Sequence, residues 1–272
     1  MIKAKKHFGQ NFLKDKNVLH KITQAIPNYV NYIVEIGPGL GDLTQELLKK
    51  CKVEAYEIDD ELIPFLESKF QKQILGGEFK LFHLNASEFF SRALATRDYF
   101  LVANLPYYMA SSLVLQALED NKCLGLLVML QKEVVQKFCA NRGEKEYCAI
   151  SIISSLFCER LVLFDVDKES FYPEPKVKSS VMLLEKKQQA IDLFDLEPFK
   201  DFLRDCFKSP RKQLVSNLKD KQNSLYEILN SLGIENTVRP HQLDVNDYLK
   251  IFTHLKECYE RGNKAKQKRN TS

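Results

Sequence analysis

The 272-residue sequence predicts a doubly wound α/β domain followed by a small α-helical one. Three observations predict it. Strand-sized apolar runs alternate with amphipathic stretches five times over, the first run enters its helix through a glycine-rich turn, and after Gln188 helical periods continue with no further strand pattern.

Residues 1–12 read as irregular and polar, with Phe8 and Phe12 as the large anchors. Val18, Leu19, Ile22, Ala25 and Ile26 keep the helical period, so a helix is expected to end before Pro27. Ile33–Ile36 reads as a strand running into Gly37-Pro38-Gly39-Leu40-Gly41-Asp42 and then a helix to about Lys50. A turn of this kind lets a ligand approach the backbone and meet N–H groups. Glycine recurs at every second position and aspartate stands at 42, which departs from the dinucleotide spacing G-x-G-x-x-G.

The second strand, 53–59, ends in acid, with Glu57 twenty residues after Gly37. A carboxylate there can accept from both ribose hydroxyls of an adenosine-containing cofactor; it could equally be a helix N-terminal acid or a surface charge. After a helix over 60–70, strand 79–84 ends at Asn85, which suits either an adenine amino edge or a helix cap. A helix is expected over 88–94.

The run Tyr99–Ala103 reads as a buried parallel strand that stops at Asn104-Leu105-Pro106-Tyr107. Pro106 has no N–H for a ladder, and Leu105 before it is pushed out of the helical region. The turn offers one amide, two carbonyls and one aromatic face, a set suited to a flat base with an exocyclic amino group. A strand-ending turn with a core tyrosine has the same sequence. Helices over 111–118, 132–138 and 147–155, with strands 124–130 and 157–164, lead to Phe171-Tyr172-Pro173-Glu174-Pro175-Lys176-Val177 and a last strand 180–184. The closing pair predicts an antiparallel edge strand. Helices near 198–207, 212–218, 225–232 and 246–259 complete the chain. Domains are expected at 1–187, with a basic arm 1–27, and at 188–262, before a flexible basic tail 263–272.

Composition sets limits. Hydrophobic residues make up 44% and charged residues 28%, as in soluble globular proteins. The longest apolar run, Leu124–Leu130, is too short for a membrane span, and no apolar segment follows the basic start as in a secretory signal. Seven scattered cysteines without a Cys-x-x-Cys pair suit reduced thiols in a cytoplasmic protein, and scattered histidines predict no metal site. Net charge is only +4, yet residues 1–21 carry +5 and residues 256–272 carry +4, with Lys208, Arg211 and Lys212 forming a further knot. Clustered cations fit nucleic-acid phosphates; they also fit solubilising tails.

Glycine turn, acidic strand end, Asn-Leu-Pro-Tyr and Phe-x-Pro-x-Pro-Lys-Val occur in that order, after Gly9-Gln10-Asn11-Phe12-Leu13. The ordered set resembles the ribosomal RNA adenine N6,N6-dimethyltransferases over essentially the whole chain. The resemblance implies a Rossmann-like class I methyltransferase fold, with a seven-stranded mixed sheet, helices on both faces and a C-terminal helical RNA-binding domain. It implies S-adenosylmethionine as methyl donor and S-adenosylhomocysteine as product, held by Gln10, Asn11, Leu13, Gly37, Gly39, Gly41, Glu57, Ile58, Asn85, Ala86 and Asn104. The implied substrate is a pair of adjacent adenosines in the 3′-terminal hairpin of small-subunit RNA in an immature 30S particle, met by a cytoplasmic monomer.

Under the same resemblance, Asn104 Oδ1 and the Leu105 or Pro106 carbonyl would accept the two N–H bonds of the N6 amine. Tyr107 would stack on one face of the base and Phe171 on the other, although Phe171 also reads as a core aromatic. Lys5, Lys6, Lys208, Arg211 and Lys212 would meet the RNA backbone. Two positions depart from the family pattern: Asn85 replaces an aspartate, and Tyr108 replaces an asparagine. The rival readings are a large-subunit adenine methyltransferase of the macrolide-resistance type and a non-catalytic RNA-binding assembly or transcription factor. A DNA adenine methyltransferase is a third.

Overall fold

The computed structural model describes residues 4, 5, 9–86, 94–106, 109–187 and 196–270. Its strands are β1 (Phe12–Leu13), β2 (Tyr32–Ile36), β3 (Lys52–Glu57), β4 (Phe79–His83), β5 (Tyr99–Asn104), β6 (Cys123–Gln131), β7 (Cys158–Val166), β8 (Phe171–Tyr172) and β9 (Ser179–Lys186). Its helices are α1 (Lys16–Gln24), α2 (Asp42–Leu47), α3 (Leu62–Lys69), α4 (Gln71–Leu75), α5 (Ala110–Glu119), α6 (Lys132–Cys139), α7 (Ala149–Phe157), α8 (Leu196–Cys206), α9 (Leu214–Asn217), α10 (Gln222–Ser231) and α11 (Val245–Asn270). The helix expected over 88–94 falls almost wholly outside the described residues.

Seven strands form one mixed sheet in the order β4-β3-β2-β5-β6-β9-β7. The first five run parallel, and β9 is antiparallel to both of its neighbours. The antiparallel strand is therefore not the edge strand the sequence predicted. It sits one place in, and β7 forms the edge. The pattern of a closing pair identifies two strands but carries no information on which lies outside.

Every residue of β2 is buried, as are the first five of β5. This fits parallel strands covered on both faces, and it explains why their sequences are continuous apolar runs rather than alternating ones. Strand β6 carries Gly125, where a Cβ would stand 2.6 Å from the Phe100 ring and 2.7 Å from the Leu184 carbonyl oxygen. Any side chain there would force β5 or β9 away.

The chain runs from β2 outward through β3 to β4, then returns and continues from β5 to β6. Strand order thus reverses between β2 and β5, and the carboxyl ends of these two strands flank a crevice, the place where such sheets bind ligands. The small sheet of β1 and β8 was not expected, since residues 1–12 read as irregular. Phe12 pairs with Tyr172 and Leu13 with Phe171, and Phe12, Leu13 and Phe171 join the core with Ile33, Val102 and Met129.

The chain divides into two compact units, residues 1–136 with 157–188 and residues 137–156 with 189–272. Segment 137–156, which the sequence pattern placed in the first domain, groups with the second unit. There the Gly143 N–H donates to the His241 carbonyl at 2.9 Å, and the Tyr147 and Phe207 rings meet edge to face at 6.3 Å. Phe199, Phe202, Tyr248 and Phe252 pack as a fully buried aromatic cluster, and Tyr248 donates to the Pro240 carbonyl at 2.7 Å. Helix α11 continues to Asn270, beyond residue 263 where a flexible tail was expected to begin.

Candidate active site

A cleft opens at the carboxyl ends of β2–β5 in the first unit. Its floor is the turn after β2. Gly39 has φ +58°, and a Cβ there would lie 3.0 Å from the Phe12 ring, so both backbone conformation and the packing of β1 require glycine. Gly37 and Gly39 line the cleft, whereas Gly41 does not. Gly41 is positioned by packing instead: a Cβ there would stand 2.5 Å from Phe70.

Glu57, at the end of β3, is 3% exposed and faces this turn. Its Oε2 accepts from the Gly39 N–H at 3.1 Å, and its Oε1 accepts from the Ile58 and Asp59 N–H groups at 2.9 Å each. Burial pushes the carboxyl up, while the backbone N–H groups of Asp59, Gly39 and Ile58 pull it partly back. The acidic strand end and the glycine turn, some twenty residues apart in sequence, are thus one bonded unit. Ile58 lines the cleft beside them. Asn85 and Ala86 line it from the end of β4, which the Leu84 N–H ties to the Glu57 carbonyl at 2.9 Å.

Two further carboxyls went unassigned in the sequence reading. Glu35, in β2, is 1% exposed, accepts from the Thr44 hydroxyl at 2.7 Å and lines the cleft. Burial pushes it up to about 8, with the Thr44 hydroxyl opposing and the nearby Glu57 carboxylate adding. Asp59 is equally buried and binds the N-terminal arm, with Lys5 Nζ at 2.6 Å and Gln10 Nε2 at 2.8 Å. Burial works against its charge, but the Lys5 and Gln10 bonds hold it below the usual carboxylate range. A carboxylate inside an apolar strand, as in Tyr32-Ile33-Val34-Glu35-Ile36, was the available signal, because acids are rarely buried without a partner.

The arm forms the opposite wall. Gln10, Asn11 and Leu13 line the cleft, and Asn104 Nδ2 donates to the Asn11 carbonyl at 3.0 Å. Only the amide NH₂ can bond a carbonyl oxygen, so this contact fixes the Asn104 side chain with Oδ1 as its remaining acceptor. Leu105 and Pro106 follow at the cleft, and the Pro106 carbonyl accepts from the Met109 N–H at 3.3 Å. Tyr107 and Tyr108 lie outside the described residues.

Phe171 does not line the cleft; at 4% exposed, its ring is part of the core beneath β1. Lys5 is engaged by Asp59, Lys6 lies outside the described residues, and Lys208, Arg211 and Lys212 are exposed on the second unit. Among the described residues no cluster of His, Cys, Asp and Glu has the make-up of a metal site, and no helix is long and apolar enough to cross a membrane.

The family model described as "Ribosomal RNA adenine dimethylase" matches residues 1–257. The chain belongs to that family. Among its relatives is the ribosomal RNA small subunit methyltransferase A of Campylobacter jejuni strain RM1221, 54% identical over 98% of this chain and 100% of the relative. The protein of the same name from Aliarcobacter butzleri is 44% identical over 94% of this chain and 97% of its own length. A solved dimethyladenosine transferase from Plasmodium falciparum superposes with TM-score 0.77 at 25% identity, covering 90% of this chain and 98% of that one. The 23S rRNA methyltransferase ErmE shares the fold with TM-score 0.69 at 23% identity, covering 90% and 100%. Family membership makes this chain a ribosomal RNA adenine methyltransferase whose methyl donor is S-adenosylmethionine, and the seven-stranded mixed sheet is the Rossmann-like fold the resemblance implied.

Proposed function

We propose that the chain dimethylates N6 of two adjacent adenosines in the 3′-terminal hairpin of small-subunit ribosomal RNA. In this reading it acts as a cytoplasmic monomer on an immature small subunit. The single observation that carries the chemistry is the Asn104 amide, anchored through Nδ2 with its oxygen left as an acceptor at the mouth of a cleft built for an adenosyl group.

S-adenosylmethionine supplies an activated sulfonium methyl, so the protein needs no nucleophile of its own. What the residues must do is hold and aim. Glu57 Oε2, which accepts only the Gly39 N–H within the fold, would take a ribose hydroxyl, Gly37 and Gly39 would allow close approach, and Asn85 and Ala86 would hold the adenine. Asn85 can still accept from the adenine amino group through its amide oxygen, without the charge assistance an aspartate gives.

Asn104 Oδ1 accepts one N–H of the target amine. The Leu105 carbonyl suits the second better than that of Pro106, which already accepts from Met109. Two acceptors draw the nitrogen toward tetrahedral geometry and aim its lone pair at the methyl; the nitrogen then loses one proton to water. Tyr107 stacks on the extruded base, worth about 1–3 kcal/mol. After one transfer a single N–H remains, so one acceptor goes unmatched and the second transfer relies more on stacking. Lys208, Arg211 and Lys212 hold RNA phosphates, and binding weakens steeply with salt.

Primer extension on both ribosomal RNAs from cells lacking the protein tests the substrate. Loss of the block in small-subunit RNA is expected; loss only in large-subunit RNA would establish the macrolide-resistance type of reading instead. Intact methylation of both would leave the non-catalytic reading.

A further inference from the structure

The N-terminal arm is closed on itself and fastened to the sheet by one buried carboxylate. The Lys5 N–H donates to Gln10 Oε1 at 2.7 Å. Gln10 Nε2 donates to Asp59 Oδ2 at 2.8 Å, and Lys5 Nζ donates to Asp59 Oδ1 at 2.6 Å. Asp59 also accepts from the Glu61 N–H at 3.1 Å, which places its carboxylate rigidly at the start of the segment after β3. Two more acids stand near Lys5, Glu61 at 3.1 Å and Asp60 at 3.5 Å. Their side chains are 63% and 76% exposed, whereas that of Asp59 is 1% exposed, so water screens the first two and not the third.

The position of this carboxylate matters. Asp59 lies two residues beyond Glu57, and its own N–H holds Glu57 Oε1. On the far side, the arm that it fastens continues through Asn11, whose carbonyl anchors the Asn104 amide. One bonded path therefore runs from the ribose acceptor through Asp59 and Gln10 along the arm to the acceptor for the target amine.

We propose that Asp59 and Lys5 form the clasp that holds the arm as a wall of the cofactor cleft, and that Lys5 serves cofactor binding rather than contact with RNA phosphates. Asp59 is a positioning residue. It touches neither donor nor base but sets the arm residues that do, so the wall is in place before the cofactor arrives and less ordering is left to binding. Gln10 acts through its backbone and its hold on Asp59, since both ends of its amide are engaged within the clasp. The inference rests on the cofactor reading of the cleft.

The test is calorimetric titration of the full chain with S-adenosylhomocysteine, with stopped-flow dissociation alongside. Lys5→Met and Asp59→Asn are each expected to weaken affinity about tenfold, mainly through faster dissociation. Together they are expected to be no worse than about the weaker-binding single variant, because both break one contact. Lys5→Arg keeps the charge and is expected to recover most of the affinity. Affinity of Lys5→Met for small-subunit RNA, measured with the cleft saturated by S-adenosylhomocysteine, is expected to match wild type within about twofold. Should Asp59→Asn fail to fold, as its melting temperature without ligand will tell, the Lys5 pair of variants carries the test alone. Unchanged cofactor affinity in Lys5→Met, or a loss confined to RNA binding, would overturn the clasp. A wild-type chain that binds no S-adenosylhomocysteine would overturn the cofactor reading itself.

Discussion

The two halves of the sheet use their strands differently. In the half around the crevice, β3, β2 and β5 lie side by side, and the last residues of β3 and β5, Glu57 and Asn104, line one cleft with Glu35 from within β2. In the other half, β9 pairs antiparallel with both β6 and β7, and among the described residues none of these three strands lines the cleft. Parallel strands all deliver their ends to one side, where loops can converge on a ligand. Strand β9 alone delivers its carboxyl end to the other side; β6 and β7 run with the first four but lie beyond β5, away from the point where strand order reverses, and so serve the frame. Substitutions in the first half should change chemistry and ligand binding; substitutions in the second should change stability alone.

The largest expected separation is at Asn104. Asn104→Ala should lower methyl transfer at least about a hundredfold, measured with tritiated S-adenosylmethionine, because an acceptor aimed at the reacting amine is lost. Its melting temperature should stay within a few degrees of wild type. Full activity in that variant would remove the amide from the reaction.

Gly125→Ala gives the opposite signature. The added Cβ meets the Phe100 ring and a backbone oxygen inside 3 Å, so unfolding free energy in urea should drop by about 1–3 kcal/mol while affinity for S-adenosylhomocysteine holds.

Glu35→Gln separates the two effects by pH. A carboxyl raised from 4.5 to about 8 on folding stabilises the native chain in its protonated form, fully so below the lower value, and that contribution fades as pH rises through the upper one. Wild type should therefore lose melting temperature between pH 5 and 8 relative to Glu35→Gln, in which this component is absent. A parallel pair of curves would show that Glu35 titrates as an ordinary acid.

The smallest effect is expected on the outer strand. Leu161, at 56% exposed on β7, can become serine within about 0.5 kcal/mol in stability and with no change in transfer rate.

What the sequence made legible follows the same division. The glycine turn, Glu57 and Asn104-Leu105-Pro106 could be read because each stands at the end of a strand the sequence predicts, and the crevice then follows from parallel topology. Strand order beyond β5 could not be read, since period-two or apolar patterning identifies a strand without naming its neighbours. The β1–β8 pair escaped because two residues carry no period. Phe171 carried two readings, base-stacking ring and core aromatic, and what no pattern revealed is that it pairs with Leu13 and joins the buried cluster around it. Lys5 was counted with the other cations of the arm; no count of charge could reveal that a buried aspartate some fifty residues later would neutralise it.

The interleaved second unit has a consequence for synthesis. Residues 137–156 leave the ribosome with the methyltransferase sheet, but the groups that meet them there, such as His241 and Phe207, follow only near the end of translation. Until then Tyr147 lacks the Phe207 ring it meets edge to face and Gly143 lacks the His241 carbonyl, a vulnerable interval for a nascent chain. A gene fragment stopping after Lys187 would make that interval permanent, so expression of the first unit by itself calls for removing or recoding the segment around Gly143 and Tyr147.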